Sequence, residues 1–192
     1  MAGLAYRFIV PGRNEIMPHR LKTPETTGVD RLLSARAAGA IHFPGCRTGY
    51  LVIQCGSAAT VDWVDGEGFF RGGFILPGPT LWLAGLSGAA QLPDLSKTGV
   101  NWEDDSPGAS SRVAMLHGLA AGLPAAVAAA ARRVMREIAG SGGGADRIPV
   151  VVTGGWGDIV QAKLDFDSFL DNDLVLQGVR LFAAMMDIGQ PL

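Results

Sequence analysis

The sequence predicts an α/β layered domain with a mixed sheet. Two patterns carry that expectation. Residues 50–77, YLVIQCGSAATVDWVDGEGFFRGGFILP, read as closely spaced strands joined by tight turns, and beyond them helical patterns alternate with one more buried strand at 148–152. The length of 192 residues favours one domain, and 48% hydrophobic against 18% charged residues marks a folded chain with a sizeable core.

Residues 1–27 have no sustained period. A strand is expected over 6–10, and Pro11, Pro18 and Pro24 break the rest, a pattern that resembles the tail of a lobe more than the start of one. A helix follows from about Gly28 to Ala38, capped by the hydroxyl of Thr26 or Thr27 or by Asp30, with Gly39 as its stop. Leu51, Val52 and Ile53 form a short buried strand, and Cys55 to Thr60 a turn of small residues. Val61, Trp63, Phe69 and Phe70 supply two further strands around the hairpin signal Asp65-Gly66-Glu67-Gly68. After Gly78-Pro79, the spacing of Leu81, Leu83, Ala84 and Leu86 predicts a helix of about ten residues that stops before Pro93.

Residues 94–110 are polar and rich in breakers, and are expected to form a long surface loop. Helix is expected from Ser110 or Ser111 to about Ile138, with Ser111 as cap and residues 122–124 splitting it in two. The glycine run at 140–144 reads as a connector, 153–157 as a glycine-rich turn, and 158–164 as a short helix. Leu174-Val175-Leu176 is either a short strand or the lead into a last helix over 178–186.

The net charge of −2 and the absence of a Lys/Arg cluster exclude a basic nucleic-acid footprint. Cys46 and Cys55 match no zinc spacing and are expected to be buried free thiols, in keeping with a reducing cytoplasm. The first residues lack signal-peptide character, and Arg132 and Arg133 end the apolar run after 119–131 short of a membrane span.

Several groups carry possible chemistry. Backbone N–H groups of Gly56-Ser57-Ala58-Ala59-Thr60 could hold a phosphate, or the small residues could serve only a tight turn; the pairs Gly72-Gly73 and Gly154-Gly155 leave the same two readings open. Asp30-Arg31 at a helix start reads either as a dipole-facing acid or as a general base beside an anion-binding arm. His19, His42 and His117 have no metal spacing, and Asp104-Asp105 and Asp171 with Asp173 read as solvated loop acids. Trp63, Trp82, Trp102 and Trp156 read as packing residues, although Trp156 beside the glycine pair could stack a base.

Taken together, Gly28-Val29-Asp30-Arg31, the turn from Gly56 to Asp62, the block from Gly66 to Gly78 with its Gly-Gly-x-Ile-x-Pro-Gly ending, Leu92-Pro93, Ser111 to Met115, Val152-Thr153-Gly154-Gly155 and Leu174 to Gly178 resemble the type III pantothenate kinases in kind and order. The resemblance implies an actin-like ATPase (ribonuclease H-like) fold in which two α/β halves enclose the nucleotide. It implies a homodimer that moves the γ-phosphoryl group of ATP, with Mg2+, to the hydroxyl of pantothenate in the first step of coenzyme A synthesis, and that uses a monovalent cation, K+ or NH4+. Carried over by motif, Asp30 falls on the general base and Gly28, Val29, Asp30 and Arg31 on part of the pantothenate site. Ser111 falls on a pantothenate contact, and Gly56, Ser57, Gly154 and Gly155 fall on the ATP side.

The sequence departs from that pattern at three places. It contains no Asp-x-Gly-Asn-Thr phosphate loop, so residues 1–27 are expected to be the remnant of a first lobe that is largely missing, and 28–192 the second lobe. Gln54 stands where the resemblance implies a cation-binding aspartate; an amide oxygen coordinates a cation without bringing charge, so binding there is expected to be weakened. Gln177 stands in place of a glutamate. Two expectations follow: a pantothenate kinase completed by a second chain that supplies the phosphate loop, or an inactive homologue that acts as a binding or regulatory partner.

Overall fold

The computed structural model describes Ile9 and residues 16–104, 106–140 and 148–186. The strand expected over 6–10, Ile9 apart, and the connector at 141–144 lie outside them. Five strands form one mixed sheet in the order β3-β2-β1-β4-β5. β1 (Tyr50–Cys55) pairs antiparallel with β2 (Ala58–Val64), which pairs antiparallel with β3 (Phe70–Pro77). On its other side β1 runs parallel to β4 (Val150–Thr153), and β4 parallel to β5 (Phe169–Leu170). β1 therefore lies at the centre with both faces covered, which is why Leu51-Val52-Ile53 is an unbroken apolar run.

Alternation along the strands divides the core in two. Leu51, Ile53, Ala59, Val61, Val150 and Val152 face α2 (Pro79–Ala89), α3 (Ser111–Gly140) and α4 (Gly157–Ala162). Tyr50, Val52, Val64, Phe70 and Val151 face the opposite way, onto α1 (Val29–Ala37) and α5 (Leu174–Met185). Gln54, Thr60 and Asp62 have the parity of that second set, which places three polar side chains under α1.

The structure corrects several expectations. Gly39 does not stop the first helix: α1 runs into a π-helical turn, Ala38–His42, closed by the Phe43 N–H donating to the Ala38 carbonyl at 2.9 Å. Gly39 is needed because a Cβ there would lie 2.4 Å from the Tyr50 hydroxyl, which donates to the Ala35 carbonyl at 3.0 Å. No side chain caps α1; its N-cap is Gly28. The cap of α3 is Ser110, whose hydroxyl accepts from the Val113 N–H at 3.4 Å, while Ser111 is the first helical residue.

Pro124 does not split α3. Leu119, Leu123, Val127 and Ala131 recur every fourth residue, all fully buried, and packing of that stripe on the sheet carries the helix past the hydrogen bond that proline cannot make. Nor do Arg132 and Arg133 keep α3 short of membrane length. By length and composition it is the one helix among the described residues long and apolar enough to cross a membrane, and here its stripe faces the sheet.

Gly72-Gly73 is not a turn but lies within β3, with Gly72 at φ 85° beside an irregularity opposite Trp63 and Val64. The turn of small residues is reduced to Gly56-Ser57, since Ala58, Ala59 and Thr60 belong to β2. Leu174 to Leu176 open α5, and the two-residue β5 has no counterpart among the expected strands. Cys55 is buried, and burial first and Asp158 second push its thiol up to about 12, whereas Cys46 is only half-buried.

Candidate active site

The C-terminal ends of the parallel strands β1 and β4 lie side by side, where ligands commonly bind in open α/β sheets. Each end opens into a glycine turn, and the two turns touch. A Cβ on Gly154, which sits at φ 99°, would lie 2.4 Å from the Cys55 carbonyl oxygen, so only glycine permits this approach. The Trp156 indole N–H donates to the Gly56 carbonyl at 2.8 Å. Gly78, at the end of β3, closes the same corner, its N–H donating to the Ser57 carbonyl at 3.0 Å. Gly56, Ser57, Gly154 and Gly155 are thus brought into one corner, and Trp156 belongs to it as a brace. With its indole N–H committed to Gly56, Trp156 clamps the two turns together.

One residue before Cys55, Gln54 turns toward α1. Its amide N–H donates to Asp30 Oδ2 at 2.9 Å, and its Oε1 lies 3.1 Å from the Ser34 hydroxyl. The Ser34 hydroxyl lies 2.9 Å from the Asp30 carbonyl, so Asp30, the helix backbone and the central strand are linked. Gly28 contributes by lacking a side chain: a Cβ there would lie 2.6 Å from Asp30 Oδ1. Val29, half-buried, packs against the core beneath α1.

Arg31 points the other way, down onto the sheet. Its Nε donates to Asp62 at 3.0 and 3.2 Å, its Nη2 donates to the same carboxylate, and Thr60 Oγ1 donates to Asp62 Oδ2 at 2.9 Å. Asp62 is 1% exposed. Burial holds its carboxyl above the ordinary carboxylate value, and the Arg31 fork and Thr60 reduce that rise without cancelling it. Burial opposes the Arg31 charge, but the Asp62 carboxylate outweighs it and holds the guanidinium above its ordinary value. Nη1 has no partner among the described residues, which leaves one edge of Arg31 to meet an anion. Sequence reasoning missed Asp62, Thr60 and Ser34. The available signal was an acid in the middle of an apolar strand, Val61-Asp62-Trp63, with a hydroxyl two positions before it on the same face.

Ser111 is not brought to this cluster. It is exposed at the start of α3, which packs on the opposite face of the sheet, and no hydrogen bond joins it to Asp30, Arg31 or Gln54 among the described residues. Among the other acids and histidines, His42 lies 2.6 Å from Asp171, and His117 meets the Ser106 carbonyl at 2.7 Å and Asp104 at 3.5 Å. Asp171 is therefore a partnered, largely buried acid rather than a solvated one; Asp105 lies outside the described residues. Among the described residues no group of three or more His, Cys, Asp or Glu side chains could hold a metal ion.

The geometry has the parts for transfer to a hydroxyl: a tethered carboxylate, a guanidinium edge, and backbone turns able to approach an anion. The family model for type III pantothenate kinase matches residues 2–133. A type III pantothenate kinase of Zymomonas mobilis is 33% identical over 165 residues, covering 83% of this chain and 54% of the relative. One from Synechococcus elongatus is 31% identical over 198 residues, covering 95% of this chain and 75% of the relative. This chain thus spans about half the length of the first relative and three-quarters of the second. A solved structure from Campylobacter jejuni, described as a Baf family transcriptional activator, superposes with a TM-score of 0.52 at 19% identity over 89% of this chain and 69% of that one, a likeness of fold.

Proposed function

Since the chain belongs to the type III pantothenate kinase family, we propose that it carries out transfer of the γ-phosphoryl group of ATP to the hydroxyl of pantothenate, with Asp30 as the base. The observation that supports this reading most directly is the tethering of Asp30 by Gln54 beside the corner where the β1 and β4 glycine turns meet. The substrate hydroxyl approaches Asp30 Oδ1, the oxygen that Gln54 leaves open. As its oxygen bonds to the γ-phosphorus, its proton passes to Asp30 and the bond to the ADP oxygen breaks. The open edge of Arg31 meets the pantothenate carboxylate, and the N–H groups around Gly56-Ser57 and Gly154-Gly155 face the nucleotide phosphates. Those phosphates, whose oxygens are its ordinary ligands, would hold Mg2+, which would supply charge neutralisation at the transferring group.

The sequence contains no Asp-x-Gly-Asn-Thr segment, and positioning of the phosphates is most of what catalyses phosphoryl transfer. In this reading 28–192 forms the second lobe and 1–27 the end of the first, and the phosphate loop comes from outside these 192 residues. Ser111 reaches pantothenate only from a second copy, because α3 packs away from Asp30. A heterodimer supplies the loop and a homodimer supplies Ser111; an assembly with both satisfies the whole site.

The test is formation of 4′-phosphopantothenate from ATP and pantothenate by the purified chain, alone and with a chain carrying that segment. Turnover that disappears in Asp30→Asn, with the circular dichroism spectrum unchanged, is expected; retained turnover in that variant would refute the assigned base. The uncharged Gln54 favours a second reading, an inactive binding partner. Calorimetry that finds pantothenate or ATP bound, with no product in any combination of chains, would establish that reading instead.

A further inference from the structure

The residue at the expected cation position does not fit a cation. A K+ or NH4+ ion held at position 54 would need an oxygen facing it, yet Gln54 presents its N–H to Asp30 Oδ2 at 2.9 Å and turns its oxygen toward the Ser34 hydroxyl at 3.1 Å. Seating an ion there would require the amide to turn over, giving up the hydrogen bond to Asp30. Asp62, also on this face, is already matched by Arg31. Between Asp30 and β1 the carboxylate is thus met by an N–H donor.

We propose that Gln54 is the residue that positions the Asp30 carboxylate, and that its amide replaces the monovalent cation, so that this chain needs neither K+ nor NH4+. The catalytic part of this inference rests on the kinase reading above; the tether and the missing ion do not. The donated hydrogen bond fixes Oδ2 and leaves Oδ1 for the substrate, and the Ser34 hydroxyl faces the amide oxygen. Misplacement of a base by about 1 Å is enough to cost on the order of a hundredfold in rate.

Three measurements on the full chain test it. The melting temperature is compared in KCl, NH4Cl and choline chloride at equal ionic strength, since an ion bound to the folded state raises it. No ion-specific rise is expected for the wild type, and one is expected for Gln54→Asp; a K+-specific rise in the wild type would overturn the proposal. The Gln54 side-chain amide resonances, assigned by their loss in Gln54→Leu, are expected to move in Asp30→Asn, and resonances that stay in place would overturn the tether. In the assembly that turns over, Gln54→Leu should lower kcat by about tenfold or more with the pantothenate KM changed less than about twofold, and the wild-type rate should be equal in K+ and choline. Loss confined to KM, or wild-type activation by K+, would overturn it. If the wild type turns nothing over, the kinase reading fails, and the first two measurements still decide between tether and ion.

Discussion

Arg31 is the partner of a buried acid. Its fork neutralises Asp62, which is only 1% exposed, while the side chain of Arg31 itself is 13% exposed. A carboxylate left alone at that depth is costly, so Arg31→Met is expected to destabilise the fold by about 3–5 kcal/mol, and Arg31→Met with Asp62→Leu to recover most of that. Urea unfolding at constant slope would show it; equal losses in the single and double variants would contradict it. Gly28 separates function from stability in the opposite sense. Its backbone, at φ −54°, accepts alanine, but the added Cβ meets Asp30 Oδ1 at 2.6 Å, the free end of a side chain that can swing away. Gly28→Ala should therefore change stability by less than about 1 kcal/mol while lowering kcat about tenfold or more. A melting curve beside a rate measurement separates the two effects.

Among the elements, α1 packs directly against α5, and Gly178 makes that approach possible. A Cβ there would lie 2.2 Å from the Leu33 carbonyl oxygen. Glycine to alanine in an exposed helix stabilises by roughly 0.5–1 kcal/mol, but here backbone stands in the way and the helices must separate. Gly178→Ala is expected to destabilise by about 1–3 kcal/mol in urea unfolding, and a gain would mean that α5 is loosely docked. Such long-range contacts decide what a sequence reveals. The period-two and helical patterns were enough to place β1, β2, β4, α1 and α2, and Asp65 to Gly68 was legible as a hairpin because turn chemistry is local: the Asp65 carboxylate accepts from the N–H groups of Glu67 and Phe69 at 3.0 Å each. Asp30 and Arg31 were legible as a pair. Their separate partners, Gln54 and Asp62, were not, because those pairings span 24 and 31 residues. Gly39 and Pro124 misled for the same reason. Each looks like a helix stop locally, and each is overridden by a distant partner, the Tyr50 hydroxyl in one case and the face of the sheet in the other.

At the scale of the whole molecule, the α1 face of the sheet is closed by α5, and the start of α5 is pinned through Asp171. That carboxylate accepts from His42 at 2.6 Å, from the Asp173 N–H at 3.0 Å and from Gln177 Nε2 at 3.3 Å. A glutamate at 177 would set a second carboxylate against it, so the amide suits this site. Burial alone would raise the Asp171 pKa, but the His42 hydrogen bond, the two further donors and the His42 charge together lower it. A carboxyl with a depressed folded-state pKa stabilises the fold above its ordinary value of about 3.9, and that contribution disappears as pH falls through the depressed value. Asp171→Asn should accordingly be less stable than the wild type at pH 7 and pH 5, with the difference closing below about pH 4. What undocking of α5 uncovers is apolar: Leu174 and Phe182 lie buried beneath it, while Leu176, Val179 and Met185 are already exposed on its outer side. Urea unfolding of both proteins at pH 7, 5 and 3 measures the gap, and a gap that persists unchanged to pH 3 would show that the Asp171 charge does not hold α5 in place.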